Sequence, residues 1–210
     1  MTRLTVLGGT GYTGSAIVRE AVARGHEVTA YSRHAPAEPV PGATYVQASV
    51  ADKDVQQQIV AGADVIVSAL APRGDMAGKL PEIHRSLVEL ANGTRLGVVG
   101  GFGSLRPAPG APLFFEGDDF PAAYKPESQE MAAVKDVLAA GDADWFYVSP
   151  AAAYGAHAPG EATGAYRTSG EIALFDAEGK SELSGADFAK AIVDEIEKPQ
   201  YQRAHWSVAY

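Results

Sequence analysis

The period of apolar positions changes repeatedly along the chain. Short strand-like runs at residues 4–7, 28–31, 44–47 and 65–68 are separated by segments whose apolar residues recur every three to four positions, so the pattern predicts alternating strands and helices. After the first run, a glycine cluster leads into a helix with Ile17 and Ala21, and Val18 and Val22, at i, i+4 spacing; Gly25 stops it. Asp52 caps a short helix carrying Val55 and Ile59 that closes at Gly62. Ile83, Leu87 and Leu90 mark the next helix, ended by Asn92 and Gly93, and residues 96–100 form strand five.

Residues 101–125 break the alternation with Pro107, Pro109, Pro112 and Pro121, and they carry Phe102, Phe114, Phe115, Phe120 and Tyr124. A loop this long inside a domain is expected to be a lid or a binding segment. Pro126 then opens a helix with Met131, Val134 and Leu138, closed by Gly141, and residues 145–149 are strand six. Strand-helix alternation of this kind predicts the α/β class, a Rossmann-type doubly wound parallel sheet.

Beyond Pro150 the chain runs through small residues to Gly164, and a hairpin is expected around residues 176–179. Ser184 and Asp187 form a capping box for a helix bearing Phe188, Ile192 and Ile196, which ends before Pro199; residues 205–210 supply a last strand. The expectation is a single domain over 1–210, with residues 151–210 a small C-terminal extension forming a substrate-side lobe.

Composition narrows the chemistry. The 210 residues contain no cysteine, which excludes disulfides, zinc thiolates and cysteine nucleophiles. With 17 basic and 26 acidic side chains the formal charge is −9, which argues against nucleic acid as partner because that binding neutralises phosphates with Lys and Arg. The charge is uneven: residues 1–35 carry +2 and the remainder −11, so an anionic ligand is expected near the N-terminal segment. No run is long enough to span a bilayer and the N-terminus lacks the apolar stretch of a secretory signal, so no membrane association and a cytoplasmic location are expected.

The segment Gly8-Gly9-Thr10-Gly11-Tyr12-Thr13-Gly14 follows strand one directly and opens a helix, matching G-x-G-x-x-G from Gly9. A pyrophosphate needs a tight turn, main-chain N–H groups facing it, no obstructing side chain and the positive end of a helix. Gly8 and Gly11 suit the turn and the close approach, Gly14 suits helix packing, and Thr10, Tyr12 and Thr13 complete the contact set.

Discrimination between dinucleotides falls to the end of strand two, where NAD enzymes place a carboxylate on the ribose 2′-OH. Here stand Ser32, Arg33 and His34, and no carboxylate appears before Glu38. A guanidinium with a neighbouring hydroxyl suits the 2′-phosphate of NADP, with NAD kept open as an alternative. Ser49 and Val50 after strand three are placed at the adenine, and Ala69, Leu70 and Ala71 after strand four along the ribose and phosphates; Gly100 at the end of strand five belongs to the same set.

At these residues the sequence resembles the atypical short-chain dehydrogenase/reductases that bind NAD(P), especially NADH-flavin reductases and biliverdin reductase B-like proteins. The resemblance spans nearly the whole chain and rests on GGTGYTG, the YSR ending strand two, VVGGFGSL at strand five, FPAAYKPE before the following helix and SPAA at strand six. It implies a reductase in which hydride passes from a nicotinamide to FMN, FAD or a similar planar acceptor. Two departures stand out. No tyrosine is followed four residues later by lysine, so the proton-transfer pair usual in alcohol dehydrogenation is missing, and Ser49 stands where relatives often carry an adenine-contacting Asp.

Hydride transfer to a flavin can proceed by positioning alone, which fits the missing pair. Ser104 and Tyr124 are the hydroxyls best placed to orient or protonate an acceptor, and Phe102, Phe120 and Lys125 are expected to contact it. The five histidines show no metal-ligand spacing. The expected partner is a small-molecule acceptor, and monomer and homodimer both stay open. Two other readings remain: a dinucleotide-sensing regulator similar to NmrA-like proteins, and an epimerase or other reductase on the same scaffold.

Overall fold

The chain enters its sheet in the middle. The computed structural model describes residues 1–210, and it begins with strand β1 (Arg3–Leu7), which lies between β2 (Glu27–Ser32) and β4 (Val65–Ser68). β3 (Ala43–Gln47) extends one side and β5 (Arg95–Val99) and β6 (Trp145–Ser149) the other. Two further strands, β7 (Arg167–Ser169) and β8 (Ala204–Ala209), complete the order β3-β2-β1-β4-β5-β6-β8-β7, in which only β7 is antiparallel. The strand order reverses direction between β1 and β4, and such switch points open a crevice at the carboxyl ends of the strands.

Strand alternation divides the core into two layers. Leu4, Val6, Val28, Ala30, Phe146 and Val148 face helices α1 (Tyr12–Ala23) and α5 (Gly185–Glu197), meeting Ile17, Val18, Ala21, Phe188 and Ile192. Leu7, Tyr31, Ile66, Leu96, Val98, Trp145 and Tyr147 face the opposite layer of α2 (Lys53–Ala61), α3 (Leu80–Leu90) and α4 (Lys125–Ala140), where Ile59, Ile83, Leu87, Val134 and Leu138 are buried. Each large side chain buried in this way contributes about 1.5–3 kcal/mol relative to exposure. This is the Rossmann-type doubly wound α/β architecture.

Within residues 151–210, α5 and β8 join the main core: Phe188, Ile192 and Trp206 belong to the same layer as β1, and a buried ion pair joins Arg95 to Glu195 at 2.6 Å. The expected hairpin forms as a turn without a paired ladder. The reversal forms, with the Asp176 N–H donating to the Lys180 carbonyl at 2.8 Å, but its flanks pair elsewhere: Ala173 donates to Arg106 and Ala153 to Ser181. No helix is long and apolar enough to cross a membrane.

Candidate functional site

The turn after β1 is shaped by three glycines. Gly8 takes a positive φ of 78°, and its N–H and that of Gly9 both donate to the Tyr31 carbonyl at the end of β2, at 2.9 and 3.3 Å. A Cβ on Gly14 would lie 2.2 Å from the Gly8 carbonyl oxygen, so only glycine lets α1 start this close to the strand. The turn leaves the N–H groups of Thr10, Tyr12, Thr13 and Gly14 without any protein acceptor. No side chain caps α1 and no acid lies in its first turn. Four unpaired donors at the positive end of a helix dipole form a ready cradle for an anion.

A cavity of about 270 Å³ opens beside this cradle. Among the residues expected from sequence to hold a cofactor, Gly8, Thr10, Gly11, Ser32, Arg33, Val50, Ala69, Leu70 and Ala71 line it. Tyr31, His34, Ala48, Arg73 and Met76 complete the wall, so a second guanidinium, missed in the sequence reading, borders the same space. Arg73 donates through two nitrogens to Glu127 at 2.8 and 2.9 Å, whereas Arg33 makes one contact of 3.3 Å with Asp75. The Ser32 hydroxyl is spent on the His34 carbonyl at 2.7 Å. Ser49 is exposed and outside the cavity, its hydroxyl accepting from the Ala51 N–H; the two-residue period of the chain turns Ala48 and Val50 inward instead.

Tyr12 and Thr13 divide their labour. Their N–H groups join the cradle, but their side chains reach the C-terminal segment: the Tyr12 hydroxyl donates to the Pro159 carbonyl at 3.1 Å and accepts from the Gly185 N–H at 3.1 Å, and the Thr13 hydroxyl lies 2.8 Å from that of Tyr154. Burial pushes the Tyr154 hydroxyl far above its ordinary value, with the Thr13 hydroxyl pulling weakly the other way. Gly100 sits against the Tyr147 ring, leaving no room for a Cβ.

The residues expected to meet an acceptor differ sharply in exposure, although Phe102, Ser104 and Phe120 gather around Gly103. Ser104 is 1% exposed, and its hydroxyl lies 3.3 Å from that of Tyr147, which donates onward to the Met131 carbonyl. Burial raises the Tyr147 hydroxyl strongly, and the contact with Ser104 offsets little of it. Tyr124 is instead 56% exposed, and its hydroxyl makes no hydrogen bond within the protein. Phe102 packs against Phe114 at 4.6 Å and meets Phe175 edge-on at 6.2 Å, and Phe120 lies over Gly103. Lys125 is half-buried at the start of α4 and makes no ion pair.

Burial holds two histidines neutral, one beside the end of β4 and one on β8. His84 Nδ1 donates to the Leu80 carbonyl at 2.7 Å, which leaves Nε2 to accept from the Ser68 hydroxyl at 2.9 Å; burial lowers its pKa to about 4. His205 lies 2.9 Å from the Ser149 hydroxyl and stands edge-on to the Tyr147 ring at 4.8 Å. Burial, reinforced by Lys135 and Arg106, lowers it to about 3.

The comparisons with known proteins agree with this geometry. A family model described as NAD(P)H-binding matches residues 8–199. The chain is 30% identical over 217 residues to YwnB of Bacillus subtilis, an uncharacterized protein, with 98% of this chain and 97% of YwnB covered. Among solved structures, a candidate NADH-flavin reductase from Streptococcus pneumoniae is 31% identical, with a TM-score of 0.88 over 100% of this chain and 99% of that one. A candidate exported protein from Burkholderia pseudomallei is 36% identical, with a TM-score of 0.86 over the full length of both.

Proposed function

The chain belongs to the NAD(P)H-binding family, and from that premise we propose that it is an NADPH-dependent reductase acting on free flavin or a similar planar acceptor. The observation that carries this reading is the set of four unpaired N–H groups, at Thr10, Tyr12, Thr13 and Gly14, opening beside a cavity bordered by Arg33 and Arg73. Those amides would hold the pyrophosphate, Arg33 the 2′-phosphate, and Ala48 and Val50 the adenine side of the cleft. A reduced dinucleotide bound there supplies the hydride.

The chain's own contribution is then positioning and exclusion of water. Tyr147, beside Ser104, is buried and Tyr154, beside Thr13, is partly buried, and burial holds both as neutral hydroxyls. Neither is set beside a lysine, which favours an acceptor that takes hydride directly and its proton from solvent. Phe102 and Phe120, on the loop after β5, supply apolar surface for such a ring, and Lys125 a cation for a flavin phosphate. The relative from Streptococcus pneumoniae, named as a candidate NADH-flavin reductase, supports the same reading. A location in the cytoplasm, where reduced dinucleotide is maintained, belongs with it.

The test is direct. Purified protein should consume NADPH when FMN or FAD is added, followed by the loss of NADPH absorbance. Binding of the dinucleotide without turnover on any flavin or quinone would overturn the reductase reading.

A further inference from the structure

Arg33 follows β2 directly, where no carboxylate is present in the local sequence before Glu38, yet the structure brings one to it from 42 residues away: Arg33 Nη1 donates to Asp75 Oδ2 at 3.3 Å. Asp75 lies in a short 3-10 turn, Gly74–Met76, between β4 and α3. Gly74 and Gly78 flank it with φ of +56° and +78°, and α4 holds the turn at both ends, through Arg73 with Glu127 and through the Gly78 N–H donating to Glu130 at 2.6 Å, while the Asp75 side chain itself stays exposed.

The two guanidiniums at the cavity are therefore held differently. Arg73 is tied to α4 by a bidentate pair with Glu127, whereas Arg33 is bridged by a single contact whose partners are 47% and 88% exposed. An exposed single contact of this kind is weak and is exchanged easily for a better partner. The two coenzymes differ in what they require of it. A 2′-phosphate, carrying close to two negative charges, must displace the Asp75 carboxylate from Arg33 or sit beside it. A 2′-hydroxyl is uncharged and meets neither cost.

We infer that Asp75 is a specificity-determining residue of this cleft: by neutralising Arg33 it penalises the phosphorylated coenzyme relative to NAD(H), an assignment that rests on the dinucleotide reading above. Arg33 and Asp75 then set the coenzyme ratio as a pair, with the carboxylate supplied from the β4–α3 connection instead of from β2.

Calorimetric titration of the full-length protein with NADP and with NAD tests this. Asp75→Asn should shift the affinity ratio toward NADP by about two- to fivefold, the range expected for removing one exposed ionic contact. Arg33→Ala should shift it toward NAD. In the Arg33→Ala background, Asp75→Asn should move the ratio less, and Asp75→Glu alone should keep the wild-type ratio. An unchanged ratio in Asp75→Asn, or an undiminished shift without Arg33, overturns the assignment and leaves the dinucleotide site standing. Failure of the wild-type protein to bind either coenzyme overturns both.

Discussion

Helices α1 and α5 begin side by side, joined where the Gly185 N–H donates to the Tyr12 hydroxyl, yet their first turns are finished in opposite ways. At α5, Ser184 caps the helix by accepting from the Asp187 N–H at 3.1 Å. Asp187, the first-turn acid, accepts from the hydroxyls of Tyr210 and Ser184 and from the N–H groups of Thr163 and Gly164. Burial pushes its carboxyl up, but those bonds outweigh it and hold the group below its ordinary value. At α1 nothing of the kind exists: no capping side chain, no first-turn acid and four N–H groups facing outward. A closed helix end makes its own structure, whereas an open one keeps its field and its donors for a ligand.

The largest expected effect comes from closing the open end. Gly11 is the N-cap of α1 with φ −75° and ψ 170°, which any residue adopts, and a Cβ there meets only the Gly8 carbonyl at 3.4 Å. Gly11→Asp should stabilise the fold by a few tenths of a kcal/mol, roughly what an Asp cap gains over Gly. It should also lower dinucleotide affinity by about a hundredfold, because a fixed carboxylate replaces the phosphate. Thermal melting and calorimetry read the two effects separately, and retained affinity would contradict the contrast between the helices.

Acid should weaken the fold while sparing the amides of the open end, which do not titrate. Burial places the folded pKa of His84 at about 4 and that of His205 at about 3, against an ordinary value of 6.5. The unfolded chain therefore takes up protons first as the pH drops below about 6.5, and stability declines from there until the folded values are reached. Urea midpoints should fall between pH 7 and pH 5, whereas NAD affinity of the folded protein should stay level over the same interval.

Opening the closed end has a smaller effect. Ser184→Ala should cost about 1–2 kcal/mol of stability, as for other N-cap losses. NAD affinity should change by less than about twofold, since Ser184 and the cradle share no acceptor. Smallest is Tyr12→Phe, which unhooks the C-terminal segment from the phosphate turn. Losing two partly exposed bonds should cost about 1 kcal/mol in total, seen as faster hydrogen exchange over residues 155–165.

The open end was legible in the sequence because strand, glycine turn and helix follow each other without interruption, and the pattern located seven of the eight strands to within a residue or two. What escaped has physical causes. β7 is three exposed or half-buried polar residues at a sheet edge, with no alternation to mark it. Tyr12 and Thr13 were read by their place in the motif, which fixes their amides but not the direction of their side chains. Arg73 and Asp75 flank a glycine in a connection, and only the fold sets them against Arg33 and Glu127. Ser104 looked available after β5 because nothing in a linear sequence reveals that the fold buries it against the Tyr147 hydroxyl, a contact between residues 43 positions apart.

The amide resonances of Thr10, Tyr12, Thr13 and Gly14 during titration with NADPH give the most direct test, with those of Asp187 and Phe188 at the capped helix as internal control. Large saturable shifts and slowed exchange in the first group, with the second unmoved, are predicted. Binding that leaves the first group unchanged would place the ligand elsewhere and contradict the account.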